Sequence, residues 1–207
     1  MIFNEASLDE LRKRLGGLLS ERRFAHTLGV ERVAMRLARV FMPEREYELR
    51  ASALLHDVTK ELGYDEHFKL IEESGISLSD EDKATANALH SFSAVGYIKK
   101  HFPEFATPDV LDGVFNHTLG DEGMSLFSSI IFISDYIEDG RRHEACKRVA
   151  DYLYSELRAR QGYDEKLKAL YEACVMSIDY TVRSLKARGI PINSRTLMTK
   201  NVFRALI

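Results

Sequence analysis

Six residues carry the chemistry of this sequence: His26, the adjacent pair His56 and Asp57, then His90, His117 and Asp135, each set in an otherwise apolar stretch. A lone carboxylate in such surroundings is costly to bury, and coordination of a metal ion offsets the lost hydration. Four imidazoles and two carboxylates without a thiolate suit iron, manganese or zinc, and octahedral iron or manganese better than a structural zinc. A bound divalent ion lowers the pKa of its water from about 15.7 toward roughly 7 and polarises a phosphoryl oxygen. Hydrolysis of a phosphoanhydride at such a centre needs no protein nucleophile. Each residue alone has a plainer explanation: a single buried histidine is more often a satisfied core residue than a ligand, Asp57 could pair with Lys60, and Asp135 could sit at a helix end. The ordered set is what gives the pattern weight. His67, His101 and His143 lie beside Glu66, Lys100 and Arg142 and are expected to face solvent.

The elements that must position these groups read as helices. In "FAHTLGVERVAMRLARVF" the apolar residues Val30, Val33, Ala34, Leu37, Ala38 and Phe41 recur every three or four positions, an amphipathic helix closed by Pro43. Further helices are expected over about Glu44–Lys60 and Asp65–Ser74, in "TANALHSFSAVGYIKKHF" up to Pro103, and from Pro108 through "PDVLDGVFNHT". The run "SLFSSIIFISDYIED" fits a helix ending at Gly140, although "IIFIS" alone could pass for a buried strand. Arg142–Arg160, Asp164–Ala187 and the tail "NSRTLMTKNVFRALI" complete the set. With no repeats or linker-like runs, the expectation is a single all-α domain over residues 1–207, a core of about 20–140 with C-terminal helices of about 142–207 packed on it.

Composition narrows the function classes. A net charge of −3 without a clustered basic excess, and no aromatic–basic interleaving, argue against nucleic-acid binding. Cys146 and Cys174 are the only cysteines and have no CxxC spacing, so buried reduced thiols are expected. Neither a leader nor a membrane span is read, so a cytoplasmic protein is expected.

The order His, His-Asp, His, His, Asp resembles the HD-domain metal-dependent phosphohydrolases. The blocks "RRFAHTLGV", "LLHDVTKE", "LHSFSAVGYI", "NHTLGDEGMSLFSSIIFISDYIEDGR" and "SIDYTVRSLKARG" are similar to the YqeK-type family of bacterial symmetrical bis(5'-nucleosyl)-tetraphosphatases, from about Glu21 to Ile207. The resemblance implies an all-helical HD bundle, one or two iron ions (manganese or another divalent metal as substitutes), and metal-activated water cleaving diadenosine tetraphosphate into two ADP. It implies His26, His56, Asp57 and Asp135 as ligands of a first metal. His90 and His117 either hold a second metal with Asp57 bridging or bind a substrate phosphate. Lys60, four residues after His56, is placed to reach the polyphosphate, Arg141 matches the arginine of the family's "DYIEPxR" block, and Arg23 and Thr118 are further phosphate contacts. The segment Asp179 to Ser184 is a candidate to close over the nucleotide. Leu119, Asp121 and Asp139 depart from the family pattern and bear on substrate preference. Two alternatives stand beside this reading: an HD phosphohydrolase for a guanosine polyphosphate, deoxynucleotide or nucleoside monophosphate, and a nucleotide-binding module without turnover. A monomer or a homodimer is compatible with either.

Overall fold

A computed structural model describes residues 3–207. Among them eleven α-helices follow one another without a strand: α1 (Glu5–Gly16), α2 (Glu21–Phe41), α3 (Glu46–Leu55), α4 (Tyr64–Glu73), α5 (Asp80–Ala84), α6 (Leu89–His101), α7 (Pro108–Asn116), α8 (Leu126–Ile137), α9 (Glu144–Ala159), α10 (Tyr163–Ala187) and α11 (Ser194–Ala205). The run "IIFIS" lies in α8, as its flanks imply. Starts are set by local chemistry: Ser20 caps α2, Ser125 caps α8, and Thr107 caps α7 with Pro108 in the first turn. Helix α1, which the sequence patterning did not single out, turns Leu8, Leu11 and Leu15 inward. Among the described residues no helix is long and apolar enough to cross a membrane.

Helix α2 lies against α3 and α8, α7 packs on α3, α6 and α8, and α4 lies on α6. Gly96 permits that last approach, since a β-carbon there would run into the Leu70 carbonyl. One core cluster extends from Leu8 in α1 through Leu37, Leu54, Ile131 and Ile178 to Phe203 in α11. A smaller one, Ile71, Leu89, Phe92 and Leu119, lies between α4, α6 and the loop after α7. Cys146 and Cys174 are both buried and unpaired.

Three charged helix faces are tied together inside the bundle. Glu31 of α2 is buried and accepts hydrogen bonds from Arg12 of α1 and from Arg50 Nε of α3 at 3.0 Å, while the Arg50 guanidinium also grips Glu5 at 2.7 and 2.8 Å. The tail helix has its own attachment. Asn193 and Arg195 donate to the buried carboxylate of Asp82 at 3.0 and 3.2 Å, Arg195 also donates to Asp121 at 2.7 Å, and the Thr199 hydroxyl donates to the Leu119 carbonyl.

Two expected helices are shorter than their apolar patterns. The helix expected over Glu44–Lys60 is a 3-10 turn at Pro43–Arg45 followed by α3, which stops at Leu55. The stop has a local cause. The His56 imidazole donates from Nδ1 to the Ala53 carbonyl at 2.6 Å, the acceptor that the Asp57 amide would use in a continuing helix. Three-residue turns follow, Val58 to Leu55, Lys60 to Asp57 and Leu62 to Thr59. Lys60 therefore does not share a helix face with His56. His117 ends α7 in the same way, through Nδ1 to the Val114 carbonyl at 2.6 Å. The helix expected from Thr85 opens as a 3-10 turn at Ala86–Ala88, and α6 proper begins at Leu89, so that His90 lies in its first turn.

Candidate metal centre and its flanking pockets

All six sequence-identified groups converge. His26 comes from α2, His56 and Asp57 from the turn after α3, His90 from the start of α6, His117 from the end of α7, and Asp135 from the last turn of α8. Asp57 stands at the centre with its two oxygens facing different partners. Its Oδ2 is 3.3 Å from His56 Nε2 and 3.5 Å from His26 Nε2, whereas Oδ1 is 3.1 Å from His90 Nε2 and 3.6 Å from His117 Nε2. Asp135 Oδ1 completes the first side, 3.1 Å from His26 Nε2 and 3.8 Å from His56 Nε2.

Three of the imidazoles are held in a ligand's posture. His56 and His117 donate from Nδ1 to main-chain carbonyls, and His26 Nδ1 faces Glu138 Oε1 at 3.2 Å, so all three turn Nε2 inward. Donor atoms of His26, His56 and Asp135 lie within 4.8 Å of one another, as do those of His56, Asp57 and His117. This donor set fits a divalent metal ion. His90 differs, because the Lys60 ammonium lies 3.1 Å from both of its ring nitrogens.

Glu138 is the residue that sequence reasoning missed. It follows Asp135 by three positions and is buried. Its carboxylate is fixed by the His26 ring on one oxygen and the Gly140 amide on the other, at 2.6 Å. Gly29 of α2 makes room, since a β-carbon there would collide with the Glu138 carboxylate. The available signal was the spacing from Asp135 together with a glycine one turn beyond His26.

Charge is balanced from two arginines. Arg23 pairs with Asp57 Oδ2, and Arg141 Nη2 with Asp135 Oδ1 at 2.5 Å. Burial raises the proton affinity of both carboxylates, but the facing histidines at Asp57 and Arg141 at Asp135 outweigh it and hold each well below the usual carboxylate range. Burial works against the charged form of His26, yet its hydrogen bonds to Asp135 and Glu138 raise it to about 9. Burial pushes His90 down to about 3 and also lowers His117 and Lys60. Thr118 Oγ1 lies 3.0 Å from His117 Nε2 and 3.2 Å from His90 Nε2.

Of the three polar-stretch histidines, His101 and His143 are exposed, but His67 is buried. It shares the inward face of α4 with Ile71, four residues on, and its Nδ1 meets Ser93 Oγ at 2.7 Å. The expectation of a solvated His67 fails because the charged neighbours Asp65, Glu66 and Lys69 occupy the other face of the helix. Glu61, next to Lys60 in the sequence, accepts from the Ser20 amide at the start of α2 at 2.9 Å.

Three cavities open from the cluster. The largest, about 880 Å³, begins at His26 and is walled by Arg22, Arg23, Arg32, Arg141 and Arg142. A second, about 220 Å³, begins at Lys60 and His90, and a third, about 150 Å³, begins at His117 and Asp135 and is closed by Ser177, Thr181 and Thr196.

An all-helical bundle that gathers a histidine, a His-Asp pair, two more histidines and an aspartate is the architecture of the HD domain. That family's model matches residues 23–183, and the chain belongs to the HD domain family. Among similar proteins, the symmetrical bis(5'-nucleosyl)-tetraphosphatase of Halalkalibacterium halodurans is 28% identical over 183 residues, covering 88% of this chain and 89% of the relative. The protein of the same name from Bacillus subtilis is 28% identical over 190 residues, covering 88% and 90%. A crystal structure described as a predicted HD superfamily hydrolase involved in NAD metabolism, from Clostridium acetobutylicum, superposes with a TM-score of 0.81 at 28% identity, over 96% of this chain and 97% of that one.

Proposed function

We propose that the protein is a metal-dependent hydrolase that cuts diadenosine tetraphosphate symmetrically into two ADP. The observation that carries the proposal is the two-sided Asp57, one oxygen toward His26 and His56 and the other toward His90 and His117. The names of the relatives that align along most of the chain supply the substrate.

In this reading His26, His56, Asp57 and Asp135 hold a first metal ion, iron by resemblance, and Asp57, His90 and His117 hold a second. The bound metal supplies a water of lowered pKa and neutralises charge on the phosphoryl oxygens. The protein's own residues do the rest. Arg23 and Arg141 lie between the carboxylates and the large arginine-walled cavity, and a phosphate chain entering there meets their guanidinium groups. Arg23 Nε is buried without a hydrogen-bond partner among the described residues and is free to donate to a phosphate oxygen. Lys60 and Thr118 stand on the opposite side and hold the phosphate that departs. Thr181, in the late segment from Asp179 to Ser184, lines the third cavity beside His117 and is placed to contact the nucleotide.

A second reading of His90 has its own support. His117 spends its Nδ1 hydrogen on the Val114 carbonyl and its Nε2 lies 2.9 Å from His90 Nε2, so His90 Nε2 carries the hydrogen between them, the state of a donor to phosphate and not of a ligand. The whole chain acts as one unit, supported by the core cluster that joins α1 to α11. A cytoplasmic location, the compartment of free nucleotides, goes with the proposal. The test is chromatography of the products from the metal-loaded protein: ADP alone supports symmetric cleavage, and AMP with ATP overturns it.

A further inference from the structure

A symmetric cut imposes a requirement on the protein as well as on the metal. With the central anhydride at the cluster, two equal halves must leave it in different directions, and each ends in a nucleoside. The cavity on the His26 side is large and lined by arginines. The cavity on the Lys60 and His90 side shares no wall with it and has a different character. Tyr64 and Leu62 lie at its rim, Leu89 forms an apolar wall, and Asn87 and His67 supply polar groups.

Tyr64 is 56% exposed, and its ring rests on Phe68 with centroids 4.7 Å apart, so it is braced from behind and open in front. An aromatic ring in that state is a platform for a nucleobase, whose π-face stacks without regard to sequence. His67 spends Nδ1 on Ser93, and its Nε2 has no hydrogen-bond partner among the described residues. Asn87 is exposed, its main-chain carbonyl accepts from Lys60 at 3.4 Å, and its side chain has no hydrogen-bond partner among the described residues. Lys60 thus joins this cavity to the cluster, where a phosphate linking the two would pass.

Resting on the hydrolase reading above, we infer that the cavity formed by Tyr64, Leu62, His67, Asn87 and Leu89 is the subsite for the second nucleoside of a dinucleoside polyphosphate. Tyr64 stacks on the base, Asn87 and His67 meet its polar edge or the ribose, and Lys60 takes the adjoining phosphate. A substrate with one nucleoside leaves this cavity empty, so the cavity distinguishes dinucleoside from mononucleoside polyphosphates.

The experiment has a binding arm and a kinetic arm. Calorimetric titration with ADP should give two sites per chain in the wild type and one in Tyr64→Ala, while Tyr64→Phe, which keeps the ring, keeps both. In the kinetic arm, the wild type should show a lower KM for diadenosine tetraphosphate than for adenosine tetraphosphate. That gap should close by about tenfold, the scale of one base–aromatic stack, in Tyr64→Ala and partly in Asn87→Ala. A single ADP site in the wild type, or two sites retained in Tyr64→Ala, overturns the assignment. So does a KM gap that survives Tyr64→Ala and closes in Thr181→Ala, which would place the second nucleoside in the cavity beside His117. Failure of the hydrolase reading looks different: no cleavage of diadenosine tetraphosphate, with two ADP sites still present and one of them dependent on Tyr64.

Discussion

The Nε2 atoms of His90 and His117 stand 2.9 Å apart, so in the absence of metal one carries a hydrogen and the other accepts it. His117 already donates from Nδ1 to the Val114 carbonyl, which makes its Nε2 the acceptor and His90 the donor. A second metal ion at this place would have to displace that hydrogen. Elemental analysis then gives two metals per chain, falling toward one in His90→Ala and in His117→Ala. One metal per chain in the wild type and in both variants would transfer the two histidines to phosphate binding.

The first metal position depends on His56 and Asp57. His56→Ala or Asp57→Ala should bring turnover to background, reduce bound metal, and remove the rise in melting temperature that metal gives the wild type. Normal metal content with normal turnover in either variant would refute the ligand assignment.

Lys60 and Arg141 separate the role of cation from that of ligand. Lys60→Ala and Arg141→Ala should keep the metal content and lower kcat/KM by about 10²-fold, the cost of one lost charge-stabilising contact. Metal loss in Lys60→Ala would show that its contact with His90 supports the centre itself.

Glu138 should matter without touching metal or substrate. It orients the His26 ring through Nδ1, and loss of such a partner weakens metal affinity by about 10- to 100-fold. Glu138→Ala is therefore expected to require more metal for half-maximal activity, with kcat largely recovered at saturating metal. Glu138→Gln, which keeps an acceptor oxygen, should fall between it and the wild type.

Acidity enters through His26. In the metal-free protein its Asp135 and Glu138 partners raise it to about 9 against an unfolded value of about 6.5. Below pH 6.5 both states hold the proton and the stabilisation is complete. Between 6.5 and 9 only the folded state keeps it, so a contribution on the order of 3 kcal/mol drains away as pH rises. Thermal melts of chelator-treated protein should thus decline across this window, and metal loading near pH 7.5 should expel the proton, measurable in buffers of differing ionisation enthalpy. A flat melting profile from pH 6 to 9 would count against it.

How much of this was legible in the sequence depends on what each residue answers to. The six central groups were legible because each breaks an apolar helical pattern, and breaking that pattern has a physical cost. The end of α3 was not, because it follows from a side chain taking a carbonyl: His56 claims the Ala53 oxygen, and no periodicity records that. His67 was misjudged from its neighbours in sequence, although its spacing from Ile71 set its direction. Glu138 was missed because its value lies in a contact with a residue more than a hundred positions away, and its spacing from Asp135 and the glycine beyond His26 signal it only weakly.

The joined charges of Glu5, Arg12, Glu31 and Arg50 have a thermal consequence. Glu31 shares α2 with His26, and Arg50 lies on α3, which leads into the turn carrying His56, so this network sets the crossing that brings two imidazoles together. The cost of withdrawing charges from water falls with heating, while apolar burial gains little more. Warming therefore loosens the surrounding packing sooner than the joint between these two helices, and the spacing of His26 and His56 should be among the last features of the fold to be lost.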